Sequence, residues 1–108
     1  STRKYGPKLL AEGVTAILFS HDVRAISAIT ECEDRGIRIP DDVSIVGFDD
    51  LPMTAYTQPS LTTIRQNRIG IGKCGYYALS CLLNQVSIGS ILLRATLIVR
   101  NSTGPAPR

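Results

Sequence analysis

The sequence has no tryptophan, one histidine and one methionine, and its aromatic content is only 6%. Its charge is also sparse on either side, with 12 basic against 9 acidic residues and a net charge of +3. No run of basic residues occurs, so nothing in the chain would grip nucleic acid directly. Long apolar runs are absent as well: none approaches the roughly 20 residues needed to span a bilayer. The start, Ser1-Thr2-Arg3-Lys4, leads into no signal-peptide core. The three cysteines, Cys32, Cys74 and Cys81, are an odd number without metal-like spacing. This excludes a disulfide scaffold and a structural metal site, and fits a reducing cytoplasm. Cys32 and Cys81 fall in apolar helical stretches, where a thiol packs as a small hydrophobe.

What is present reads as one modest α/β domain. In 108 residues, 44% are hydrophobic and 19% charged, ordinary proportions for a globular protein. Residues 4–12 form the end of a helix stopped at Gly13. Thr15 to Ser20 is a short apolar run, as expected for a strand covered on both faces. A helix from about Val23 to Arg35 follows, with Ala25, Ala28, Ile29 and Cys32 as its apolar stripe and Gly36 as its stop. A second strand covers Val43 to Phe48. Asp49-Asp50 ends it, with Asp50 placed to cap a short helix whose first turn holds Pro52. A third strand covers Leu61 to Ile64, a long helix about Arg68 to Val86, and a final strand about Leu92 to Arg100. Gly70, Gly72 and Gly75 each cost the long helix about 1 kcal/mol against alanine. They imply close backbone packing or a helix start delayed to Gly72. About four strands alternating with helices imply parallel βαβ units, and the long helix lacks partners, as in part of a larger domain.

Three stretches, taken together, resemble the lactose/galactose-repressor (LacI/GalR) family over nearly the whole chain. They are Thr15-Ala16-Ile17-Leu18-Phe19-Ser20-His21-Asp22, then Gly36 through Pro40-Asp41-Asp42-Val43-Ser44-Ile45-Val46-Gly47-Phe48-Asp49-Asp50. The third is Pro59-Ser60-Leu61-Thr62-Thr63-Ile64-Arg65-Gln66, followed by Ile71-Gly72 and closing with Arg100-Asn101-Ser102-Thr103. The resemblance implies an incomplete three-layer, parallel-sheet core of the type I periplasmic-binding-protein-like kind. Residues 1–64 and 94–102 would form its C-terminal subdomain. Residues 66–91 would supply a helix of the N-terminal subdomain, and 103–108 a disordered tail. The chain would be the last third of a homodimeric cytoplasmic regulator whose helix-turn-helix domain, the part that meets operator DNA, lies outside it. A periplasmic sugar-binding protein of a transporter shares this architecture and is the alternative.

The candidate site residues follow in part from pattern and in part from the resemblance. Asp22 stands at the C-terminal end of a strand, where open parallel sheets bind ligands and a carboxylate can accept from two hydroxyls. The same residue could instead serve as a helix N-cap. His21 beside it is a rim histidine or a cleft residue, and its titration would bring pH dependence near neutrality. Gln66 and Arg68 lie on a crossing segment that lines the cleft in the family, and are otherwise a solvated linker pair. Arg68 there would pair with an acidic or phosphorylated effector. Met53 and Tyr56 belong to the core or, as the family often has it, to a dimer interface. The expected effector is therefore a sugar, nucleoside or sugar phosphate, with no cofactor and no metal. Asp49 and Asp50 look like an acid/base pair, but a strand terminator plus a helix cap explains them better. No nucleophile has a matched base, and Ser20-His21-Asp22-Val23 is no phosphate loop, so catalysis is not expected.

Overall fold

A computed structural model describes residues 8–107. Within it the chain divides into two compact units. The first runs to Arg65 and resumes at Leu97, and the second spans Gln66–Thr96. The elements in order are β1 (Ala16–Leu18), α1 (Asp22–Asp34), β2 (Ser44–Val46), a 3-10 turn (Pro52–Ala55), β3 (Thr63–Arg65), α2 (Arg68–Leu83) and β4 (Thr96–Ile98). Most strands are shorter than their apolar runs, because backbone pairing stops before the hydrophobic pattern does.

In the first unit, β1 and β2 are parallel, with Ala16 opposite Ser44 and Leu18 opposite Val46. A parallel bridge from Val46 to Thr62 continues the pairing toward β3, which pairs with β4. Helix α1 is the crossover between β1 and β2. Ala25, Ala28, Ile29 and Cys32 recur at helical spacing and are buried against Val43, Ile45 and Leu61. Burying each of the last three contributes roughly 1.5–3 kcal/mol. Burial also pushes the Cys32 thiol up, in keeping with its reading as a packed hydrophobe. The helix ends as the sequence predicts. Gly36 has φ +70°, its N–H bonds the Glu33 carbonyl and the Ile37 N–H reaches back to Cys32. This is a Schellman closure that requires the left-handed conformation glycine tolerates.

Several expectations are corrected. β1 is not covered on both faces: Ile17 packs on the core but Leu18 is 65% exposed. Alternation sends those two side chains to opposite faces, and only one of them meets a helix here. Residues 103 and 104 are held rather than disordered. Thr103 shares a hydrogen bond with Thr62, and the Gly104 N–H donates to the Ser44 hydroxyl. Ser102 beside them is fully buried, its hydroxyl accepting from the Thr62 N–H and donating to the Ile45 carbonyl. The chain end therefore fastens β2 to the start of β3.

The second unit is α2 and the segment after it. Helix α2 starts at Arg68, not near Gly72, because the Asn67 side chain caps it by accepting from the Gly70 N–H. That cap occupies the space a Gly70 side chain would need. Gly72 and Gly75 meet no neighbour, so close packing against them is not found among the described residues. No residue of α2 is buried. Ile71, Cys74, Gly75 and Ala78 line one side of an open apolar groove of about 430 Å³, and Gly89, Ile91 and Leu93 the other.

Gly47 is the most crowded of the described glycines in the first unit. A side chain there would collide with the Asp22 carboxylate and crowd Leu61. Gly47→Ala is expected to destabilise the chain by about 1–3 kcal/mol, as for overpacking of a filled interior. Urea denaturation measures this, and an unchanged midpoint would contradict the close approach.

Candidate functional site

The carboxyl ends of the parallel strands meet along one edge. The Phe19 N–H bonds the Val46 carbonyl, the Asp22 N–H bonds Phe48, and the Asp49 N–H bonds Ile64. Residues 20–22, 47–49 and the end of β3 are thereby tied side by side. Such an edge is where open α/β sheets bind ligands.

Asp22 sits beneath this edge rather than on it, with zero exposure. One carboxylate oxygen accepts from the Thr63 hydroxyl at 2.6 Å, the other from the Leu51 N–H at 2.7 Å. Thr63 in turn accepts from the Asp50 N–H at 3.3 Å. A charge can be buried when donors surround it, and here they come from β3 and from the loop after β2. Neither sequence reading of Asp22 describes this. It is the first residue of α1 rather than its cap: His21 holds the N-cap position and makes no side-chain capping bond. It also presents no surface to a ligand. His21, by contrast, is exposed at the edge.

The sequence pattern makes Asp49 and Asp50 a strand terminator and a helix cap. The 3-10 turn has Leu51 at its N-cap position, without a side-chain cap, so the capping role for Asp50 is corrected. Its carboxylate instead accepts from Arg65 Nε at 2.7 Å, Arg100 Nη2 at 2.8 Å and the Thr54 hydroxyl at 3.2 Å. Burial raises the Asp50 pKa, but the hydrogen bonds from Arg65 and Arg100, the attraction of Arg100 and the Thr54 hydroxyl prevail. They hold the carboxyl below the usual range. Asp49, partly exposed at the edge, has φ 114°, and Asp50 has φ 58°. Two successive non-glycine residues at positive φ are a strained turn, of the kind concentrated at functional loops. The aspartate pair was the available signal. Nothing local in the sequence distinguishes a strained turn from an ordinary strand end.

The remaining candidates lie elsewhere. Met53 and Tyr56 are on and just after the 3-10 turn, 51% and 86% exposed, so they are not core residues. Gln66 and Arg68 open the second unit, Gln66 partly exposed and Arg68 exposed. Among the described residues there is no cluster of histidine, cysteine or acidic side chains able to hold a metal ion. Nor is any helix among them long and apolar enough to cross a membrane.

The model of the periplasmic binding protein-like domain matches residues 2–103. The chain belongs to that family. Relatives carrying this domain are repressors of the lactose-repressor type. The transcriptional repressor CytR of Escherichia coli K12 is 38% identical over 103 residues, 91% of this chain and 29% of the relative. The regulator MalR of Streptomyces coelicolor is 35% identical over 104 residues, 92% of this chain and again 29% of the relative. The chain thus spans under a third of these relatives. Among solved structures, the transcription regulator CcpA of Lactococcus lactis superposes with a TM-score of 0.82 at 27% identity, covering 94% of this chain and 38% of that one. The lac repressor dimer bound to operator and an anti-inducer gives 0.77 at 32% identity, covering 89% and 35%. The three-layer α/β class read from the sequence agrees with these matches, and they favour a regulator over a transport protein.

The depressed Asp50 carboxyl makes stability depend on acid. Its contribution is complete above the ordinary aspartate pKa of about 3.9 and is lost as pH falls through the lower folded value. Asp50→Asn should lower the Tm at neutral pH and flatten its fall in acid. Parallel Tm–pH curves for both proteins would contradict the assignment.

Proposed function

We propose that this chain is the effector-binding and dimerisation region of a cytoplasmic transcription regulator, a binding module without catalysis. The observation that carries the reading is the edge itself. His21 and Asp49 stand at the carboxyl ends of adjacent parallel strands, above a buried carboxylate that fixes the loop between them and β3. The effector is a small polyhydroxylated molecule: Asp49 accepts hydrogen bonds from its hydroxyls, and His21 bounds it on the rim. Asp22, the acid first expected to touch the effector, acts by positioning. Gln66 and Arg68 are further effector contacts, and Arg68 gives a sugar phosphate an anion partner. A solved relative described as a ribose operon repressor, 30% identical, is consistent with a sugar-class ligand. Operator DNA is met by a helix-turn-helix domain that these 108 residues do not include, as the names of the relatives suggest. Met53 and Tyr56 contribute an apolar patch to a homodimer, the form in which the lac repressor relative is described.

A thermal-shift panel of ribose, cellobiose, a nucleoside and a sugar phosphate on the intact regulator tests the effector role. Asp49→Asn should weaken binding of whichever compound stabilises the wild type by about tenfold or more, the worth of one hydrogen bond to a charged group. Equal shifts in wild type and variant, or no shift with any of the four, count against it. For the dimer, Met53→Asp and Tyr56→Asp should move sedimentation toward monomer at micromolar concentration. A mass unaffected by both removes the patch from the interface.

A further inference from the structure

The loop that carries Asp49 is joined by a single carboxylate to both places where the chain passes between its two units. Arg65 is the last residue of the first unit before the chain leaves it, at the end of β3. The chain returns at Leu97 in β4, and Arg100 follows two residues after that strand. Both guanidinium groups end on Asp50, Arg65 on one oxygen and Arg100 on the other. We infer that Asp50 is a positioning residue that couples the effector loop to both crossing strands, with Arg65 as the arm that opens.

The two arms are built differently. The Arg100 side chain is 17% exposed, and besides Asp50 it donates to the Thr54 hydroxyl at 2.8 Å and the Leu61 carbonyl at 2.9 Å. Its own N–H is bonded to the Thr62 hydroxyl. Breaking that arm would strand several buried groups at once. The Arg65 side chain is 57% exposed and holds Asp50 through one hydrogen bond from Nε. Water and salt compete with such a pair, so it opens at little cost while the other stays shut.

The loop between them needs the tie. Asp49 and Asp50 hold positive φ without being glycine, a conformation that persists only where the surroundings impose it. What imposes it is visible: the Asp50 N–H on Thr63, the Leu51 N–H on Asp22, and the Asp50 carboxylate between two arginines. A displacement of β3 at Arg65 therefore acts on the turn that aims Asp49. The inference extends the effector reading, since it gives that turn a mechanical connection to the crossing strands. It can be tested with no effector present.

Amide hydrogen exchange on the full chain distinguishes coupling from plain stability. In Arg65→Gln, the amides of Asp49, Asp50 and Leu51 should exchange about tenfold faster, a local opening, with Tm within about 2 °C of wild type. The amides of Ile45 and of α1 should stay as protected as before. Arg65→Lys keeps a cation within reach and should restore most of the protection. Arg35→Gln, which breaks the exposed pair with Glu31, should leave residues 49–51 unaffected. Unaltered exchange at 49–51 in Arg65→Gln overturns the inference. So does faster exchange spread evenly to Ile45 and α1 with a fallen Tm, no restoration by lysine, or an equal effect from Arg35→Gln. Because none of these readings involves a ligand, they leave the effector assignment to stand or fall on the thermal-shift panel.

Discussion

The buried carboxylate of Asp22 is the constraint on which the first unit depends. A fully desolvated charge requires hydrogen-bond donors around it, and its donors belong to β3 and to the turn after β2. Removing it would leave the Leu51 N–H and the Thr63 hydroxyl proton without acceptors, at about 1–3 kcal/mol each. The same requirement explains Gly47, since only a residue without a side chain lets β2 pass the carboxylate. It also explains how the 49–51 turn keeps a backbone that is unfavourable by itself. One interior anion thus sets strand spacing, loop shape and the position of the exposed groups above it.

Around this anion the polar side chains form a connected set. Thr63 bonds Asp22 and Asp50, Thr54 bonds Asp50 and Arg100, and Arg100 reaches the carbonyl of Leu61. Ser102 and Thr103 add the chain end to β2 and to the start of β3. Among the described residues no buried side-chain nitrogen or oxygen lacks a partner. Fully satisfied networks of this kind specify one arrangement rather than several. The strand-end edge above is thereby held from below, by side chains whose partners are all inside the unit.

The second unit follows a different logic. Helix α2 carries apolar residues around most of its circumference, with Tyr76, Leu79, Leu82 and Leu83 all more than half exposed. A helix of that composition is built for burial. Its present partners, Ile91 and Leu93 across the groove, cover only one side. The comparison with relatives over three times as long as the matched region is in keeping with that imbalance.

Several features were legible in the residues alone. The stripe Ala25, Ala28, Ile29 and Cys32, the Gly36 stop, the apolar strand runs and the wording from Pro40 to Asp50 determined the fold class and the family. Each is a local or periodic signal, and local energetics decide such features. The roles of the acids were decided only by tertiary structure. Asp22, Asp49 and Asp50 all stand at strand ends and read alike in one dimension. One is the buried anchor, one the edge residue and one the bridge between two arginines. What separates them is burial and partners 13 to 50 residues away in sequence, and no spacing rule encodes contacts at that range.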